Sequence, residues 1–257
     1  MSGKASSETL QQEFDLAYSL VYQASGINFK KPTLCIGDRH RSKFFEFGSM
    51  KDMARYGLLQ MIYDDQTNSI FVPDHLLTSP FIHLPNYARD NRVFAFRHEL
   101  VHALSSQLNP KKDALIHSGK KEHGETEYVL IAFDEGLANY LAIASAYFSN
   151  DQNLRAKAEE ERLKLVNAFT EWTGDGFNMK VLAKLYNKRP EDILEILLAY
   201  FRKTPAMLEL YKYIIGYRFV QGVNPQKRDL TALIKNPPVH ISQLIYPATY
   251  RMPKTKS

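Results

Sequence analysis

The chain has almost no cysteine. Cys35 stands alone among 257 residues, which excludes an internal disulfide and a multi-cysteine metal site. No run of 18 apolar residues occurs, so a membrane span is not expected. The first residues, Met1 to Gln12, are polar and lack the apolar stretch of a secretory signal. With the lone cysteine, this sets the expectation of a reducing, cytoplasmic setting, leaving open export by a route that needs no signal. Excess charge is scarce as well: 33 Lys and Arg against 28 Asp and Glu leave a formal +5. Part of that excess sits at Arg251, Lys254 and Lys256. There is no basic stretch interleaved with aromatics and no glycine-rich phosphate loop, so nucleic acid is not an expected partner.

What is present is a composition ordinary for a globular protein, 44% hydrophobic, with enough chain for a substantial core. Leu10, Phe14, Ala17, Leu20 and Val21 recur at helical spacing and predict an amphipathic helix over 8–24, ended by Gly26. Residues 32–36 read as a short strand. Two apolar runs, 58–63 and 69–73, flank the polar turn 64–68 and predict a β-hairpin. Helices are expected over about 92–107, capped by Asp90 or Asn91 and stopped by Asn109-Pro110, and over 125–148 and 152–171. Further helices are expected near 179–187, 191–202 and 205–221. Residues 109–124 read as an exposed connection, and 78–90 and 236–250 as irregular. Cys35, mid-strand, is expected to be a buried hydrophobe. The order is a strand-bearing part, 1–108, followed by a helical part, 109–257, in one unit: an α+β chain.

The informative segment is Arg97-His98-Glu99-Leu100-Val101-His102. On a helix, His98 and His102 are one turn apart and project from the same face. Two neutral imidazoles at that spacing can grip one Zn²⁺. Glu99 adjoins the first of them, where a carboxylate can serve a metal-activated water as general base without ligating the ion. Val93, Phe94, Leu100, Val101 and Leu104 make the helix otherwise apolar, and polar groups there need partners. A catalytic zinc wants three protein ligands and one open position. Asp134 and Glu135 lie downstream in an Ala- and Leu-rich helical segment, where an acid is costly unless it meets a cation or a donor.

His-Glu-Leu-Val-His followed by Asp134-Glu135-Gly136-Leu137-Ala138-Asn139-Tyr140-Leu141 resembles the gluzincin branch of the zincin metallopeptidases. The resemblance covers about 98–141. It implies a zincin-like fold, with a small N-terminal sheet and active-site helix facing a mostly helical C-terminal part. It also implies one Zn²⁺ held by His98, His102 and Glu135, and small Gly136 and Ala138 where two helices approach. Asp134 or Asn139 would orient a ligand histidine. The hairpin would supply an edge strand that pairs with an extended protein or peptide substrate. The segments 213–219 and 236–247 are similar to the closing segments of some zincin-like peptidases, where a tyrosine or histidine reaches the oxyanion; here Tyr213, Tyr217 and His240 are in question. Cleavage would use Glu99 as general base and Tyr213 or Tyr217 as oxyanion stabiliser.

Several alternatives stand beside this. The interval from His102 to Glu135 is longer than in compact gluzincins, and His117, Glu122, His123, Glu125 and Glu127 compete with Glu135 as third ligand. The metzincin pattern is excluded, because Ser105 and Leu108 occupy its glycine and third-histidine positions. Glu135 can also be read as a helix acid paired with a lysine or arginine, Tyr213 and Tyr217 as packing residues, and His240 as a loop histidine. Two other functions fit the same ligands. One is a metal enzyme that is not a peptidase, such as an iron hydroxylase acting on protein; the other is a zincin-fold binding protein without turnover.

Overall fold

The computed structural model describes residues 7–37, 61–72, 89–116, 124–173, 205–223 and 227–251. Within these the chain is mostly helical with one small three-stranded sheet, an α+β composition. The segment 38–56, the first hairpin residues 58–60, the loop 78–88, the expected helices near 179–187 and 191–202, and His117, Glu122 and His123 lie outside the described residues. The chain forms two compact units, 1–110 with 141–158 and 111–140 with 159–257.

In the first unit, helix α1 (Ser7–Ser25) buries Leu10, Phe14, Ala17, Leu20 and Val21, the residues whose spacing predicts it. Gly26 closes it at φ 68°, its N–H bonding back to the Tyr22 carbonyl at 2.8 Å. That left-handed conformation carries no Cβ penalty for glycine. Strand β1 (Thr33–Ile36) runs parallel to β3 (Ser69–Val72), and β2 (Ile62–Asp64) pairs antiparallel with β3, giving the order β1-β3-β2. The hairpin turn is built by Asp64. Its carboxylate accepts the N–H groups of Gln66 and Thr67 at 3.2 and 3.3 Å, and also the Thr67 hydroxyl. A short acid at this position mimics a backbone turn, and Asn68 tolerates the positive φ of 49° that follows. Cys35 is half-exposed rather than buried, because this sheet is narrow and β1 is only partly covered.

Helix α2 (Arg89–Leu108) packs on α1 through its apolar face, with Phe96 against Phe14 at 5.5 Å between ring centroids. Glu13, 4% exposed, takes a two-pronged bond from Arg92 at 2.6 and 2.8 Å. The helix begins at Arg89, so the expected caps Asp90 and Asn91 lie inside it. Arg89 is anchored to Asp151 at 2.6 Å, and an acid in the first turn still favours the helix dipole. At the other end the Gln107 amide clasps the Lys30 backbone, donating to its carbonyl at 2.8 Å and accepting its N–H at 2.7 Å, and reaches Asn68 at 3.0 Å. Those bonds tie the end of α2 to the strand layer.

The second unit begins at Lys111, inside α3 (Pro110–Ile116), a helix where the sequence reads as an open connection. Proline suits the first helical position, and Lys112 is buried there with Asp113 at 3.3 Å and in contact with Asp134. Those charge pairs hold the segment down. Helix α4 (Gly124–Ala146) follows, its last residues, 141–146, belonging to the first unit. Among the described residues it is the one helix long and apolar enough to cross a bilayer. The candidate span, Thr126–Ala146, is 72% buried inside the protein, as a core helix is. Helix α5 (Gln152–Thr173) carries the Glu159–Glu161 run, paired with Arg162 and Lys164. Helix α6 (Pro205–Val223) packs against the closing pieces. The chain ends in α7 (Lys227–Lys235), α8 (Ile241–Ile245) and a 3₁₀ turn at Pro247–Thr249. The proline-rich tail is therefore locally helical where it reads as irregular.

The contact of α4 with α6 is made by glycine. A Cβ on Gly136 would lie 1.9 Å from the Gly216 carbonyl carbon, and one on Gly216 would lie 1.7 Å from the Ala132 oxygen. No side chain fits at either place, so the two backbones touch.

Candidate metal centre

The face of α2 that carries chemistry is set by its neighbours. Val93, Phe96, Leu100, Val101 and Leu104 are fully buried. His98, Glu99 and His102 are only partly so. Both histidines turn their Nε2 atoms toward one point, 3.1 Å apart, with ring centroids 4.8 Å apart. Tetrahedral zinc with Zn–N bonds of 2.0–2.1 Å places its nitrogens roughly 3.3 Å apart. The pair is thus close to the separation a shared ion requires.

Glu99 departs from that axis toward the sheet. Its Oε2 accepts the main-chain N–H of Tyr63 on β2 at 2.8 Å. In the order β1-β3-β2, β2 is an edge strand among the described residues. The Tyr63 amide therefore points outward and is taken by Glu99, which turns the first half of the hairpin into a clamp on the carboxylate. Nothing in the sequence pattern signals this, because a backbone N–H has no residue identity.

Glu135 lies on α4, partly buried, one residue before the Gly136 crossing. Lys212 of α6 stands 3.6 Å from its Oε1. Asn139 donates to the Glu135 carbonyl at 3.1 Å, a bond to its own helix. Asp134, the neighbouring acid, pairs with buried Lys112. His98 and His102 belong to the first unit and Glu135 to the second; within the first unit the two imidazoles are the converging pair of neutral nitrogens. Two imidazoles at this separation suit zinc.

The remaining expected residues divide. Tyr217 is 4% exposed, with its ring 6.3 Å from that of Tyr140, a packing position. Tyr213 is half-buried, with Lys212 Nζ 5.3 Å from its ring centroid. His240 is exposed at the start of α8, where its N–H and that of Val239 are held by Gln243 Oε1 at 3.1 and 2.8 Å. Lys212 and Gly216 are the residues that the sequence reading did not single out for this neighbourhood. The signal lay in the sequence as Lys-x-x-x-Gly on an apolar helix, but only a partner helix gives it meaning.

Arg97 is a separate oddity beside His98. It is 0% exposed, and among the described residues both terminal guanidinium nitrogens lack a hydrogen-bond partner. Its Nε donates to the Val93 carbonyl at 3.3 Å, and the group lies 5.5 Å from the Phe94 ring centroid. Burial pushes its pKa down to about 10. Comparison of the chain with known protein families, characterised proteins and solved structures finds no match.

Proposed function

We propose that the protein is a zinc-dependent peptidase, with His98, His102 and Glu135 as ligands and Glu99 as general base. The observation that carries this is the pair of imidazoles converging from one helix face beside a glutamate that a strand orients, with Glu135 taken as third ligand from the gluzincin-like Asp-Glu-Gly-Leu-Ala string. A zinc ion held there would bring the pKa of water toward neutrality and polarise a scissile carbonyl.

The chain's own part is as follows. His98 and His102 offer neutral nitrogens from one helix face, and Glu135 adds one negative charge. Glu99, oriented by the Tyr63 amide, takes a proton from water and passes it to the departing amine of a protein or peptide. Of the two tyrosines on α6, Tyr213 has the more open side chain and is the better donor to a developing oxyanion. The fold that supports this is zincin-like in its order: a small sheet, the His-Glu-Leu-Val-His helix, then the glutamate helix.

The test is metal analysis of the purified chain together with cleavage of a mixed peptide library. One equivalent of zinc and chelator-sensitive cleavage are expected. Glu99→Gln should keep the zinc and lose about 10²- to 10⁴-fold in activity, whereas His98→Ala or Glu135→Ala should lose both. Iron with no cleavage would instead favour oxidative chemistry. Full zinc without any cleavage would favour a binding protein.

A further inference from the structure

We propose that Lys212 and the divalent cation compete for Glu135, so that Lys212 sets how tightly the ion is held. This deepens the zinc site proposed above and rests on it. Lys212 Nζ stands 3.6 Å from Glu135 Oε1, and the two side chains are only 14% and 16% exposed. The pairing follows from the helix crossing. Gly136 is the residue after Glu135, and Gly216 lies one turn beyond Lys212. Their backbones are in contact, since a Cβ on Gly136 would sit 1.9 Å from the Gly216 carbonyl carbon. Residues four apart share a helix face, so a crossing at Gly216 delivers Lys212 to the carboxylate beside Gly136.

Charge decides the consequence. Without metal, a partly buried carboxylate is costly unless a cation neutralises it, and Lys212 does so. A divalent ion on the same carboxylate takes over that duty and leaves the lysine's positive charge a few ångströms from a second cation, which is repulsive in a medium poorer than water. The ammonium has somewhere to stay: the Tyr213 ring, its centroid 5.3 Å from Nζ, attracts a cation. Lys212 therefore stabilises the metal-free protein and weakens ion binding, which makes the ion exchangeable rather than locked.

The experiment titrates zinc into the chelator-stripped full chain against a chromophoric competitor, with circular dichroism and thermal melting to establish folding. Lys212→Met should bind zinc about tenfold more tightly than wild type, the size expected for removing one partly exposed charge pair. Lys212→Arg, which keeps the charge, should stay within about threefold of wild type. Lys212→Gln serves as the neutral variant if the methionine does not fold. A folded neutral variant with unchanged or weaker zinc affinity overturns the competition. In that case wild-type binding that is lost in Glu135→Ala leaves the zinc site standing. No zinc bound by wild type, or full binding by Glu135→Ala, defeats the zinc site itself and the competition with it.

Discussion

Arg97 shows how local chemistry and burial can conflict. A guanidinium with no exposure and two nitrogens unpartnered among the described residues bears the desolvation cost of a charge with little return there beyond the Phe94 ring and one carbonyl. Replacing such a group with an apolar side chain of similar length removes the cost and keeps most of the packing. Arg97→Met should therefore stabilise the protein by about 1–4 kcal/mol, read as a higher denaturant midpoint with an unchanged slope. A loss of stability would mean that the guanidinium meets an anion in solution. Lys112 is the contrasting case, equally buried but paired with Asp134 and Asp113. Lys112→Met leaves two acids without their cation and should cost about 3–5 kcal/mol. A melt within a degree or two of wild type would contradict this.

At the scale of elements, the edge strand and the glycine crossing carry the testable content. The Tyr63 N–H points away from β3 and into Glu99, so Tyr63→Pro removes that bond without touching the β2–β3 ladder; proline is tolerated on edges for this reason. Folding should survive, and the proposed peptidase activity should fall by about tenfold relative to a Tyr63→Ala control, the loss of one orienting hydrogen bond to a charged group. Equal activity in the two variants would show that the clamp does not matter. Gly136→Ala tests the crossing. Alanine gains up to about 1 kcal/mol of helix propensity, but its Cβ would overlap Gly216 backbone atoms near 2 Å, and backbone cannot swing aside as a side chain can. The clash wins, with a net loss of about 1–3 kcal/mol and weaker zinc binding as Glu135 is displaced. A more stable Gly136→Ala would refute the close approach.

For the whole molecule, the zinc proposal has a thermodynamic signature independent of any substrate. An ion that binds only the folded chain stabilises it by mass action, about 2.7 kcal/mol at a hundredfold excess over Kd. Added zinc should raise the melting temperature of wild type and not that of Glu135→Ala or His98→Ala. Equal shifts in all three would place the ion elsewhere.

How much of this was legible follows from the range of each interaction. Periodicity predicts α1, α2, α4 and the hairpin, because each buries one face whose spacing is written locally, as Leu10, Phe14 and Ala17 show. His98, Glu99 and His102 were legible for the same reason: one helix sets their spacing. The expected open connection at 109–124 begins instead as a helix at Pro110, because what holds it is Lys112 meeting Asp134, 22 residues on. By itself, then, the sequence determined the helix face that presents two imidazoles and an acid, since 3.6-residue periodicity is a property of the chain. Only the tertiary structure decided that Glu99 is held by an edge-strand amide, that glycines let α4 and α6 touch, and that Lys212 faces Glu135. Those depend on contacts between segments far apart in the chain, where packing and charge, not spacing, choose the partner.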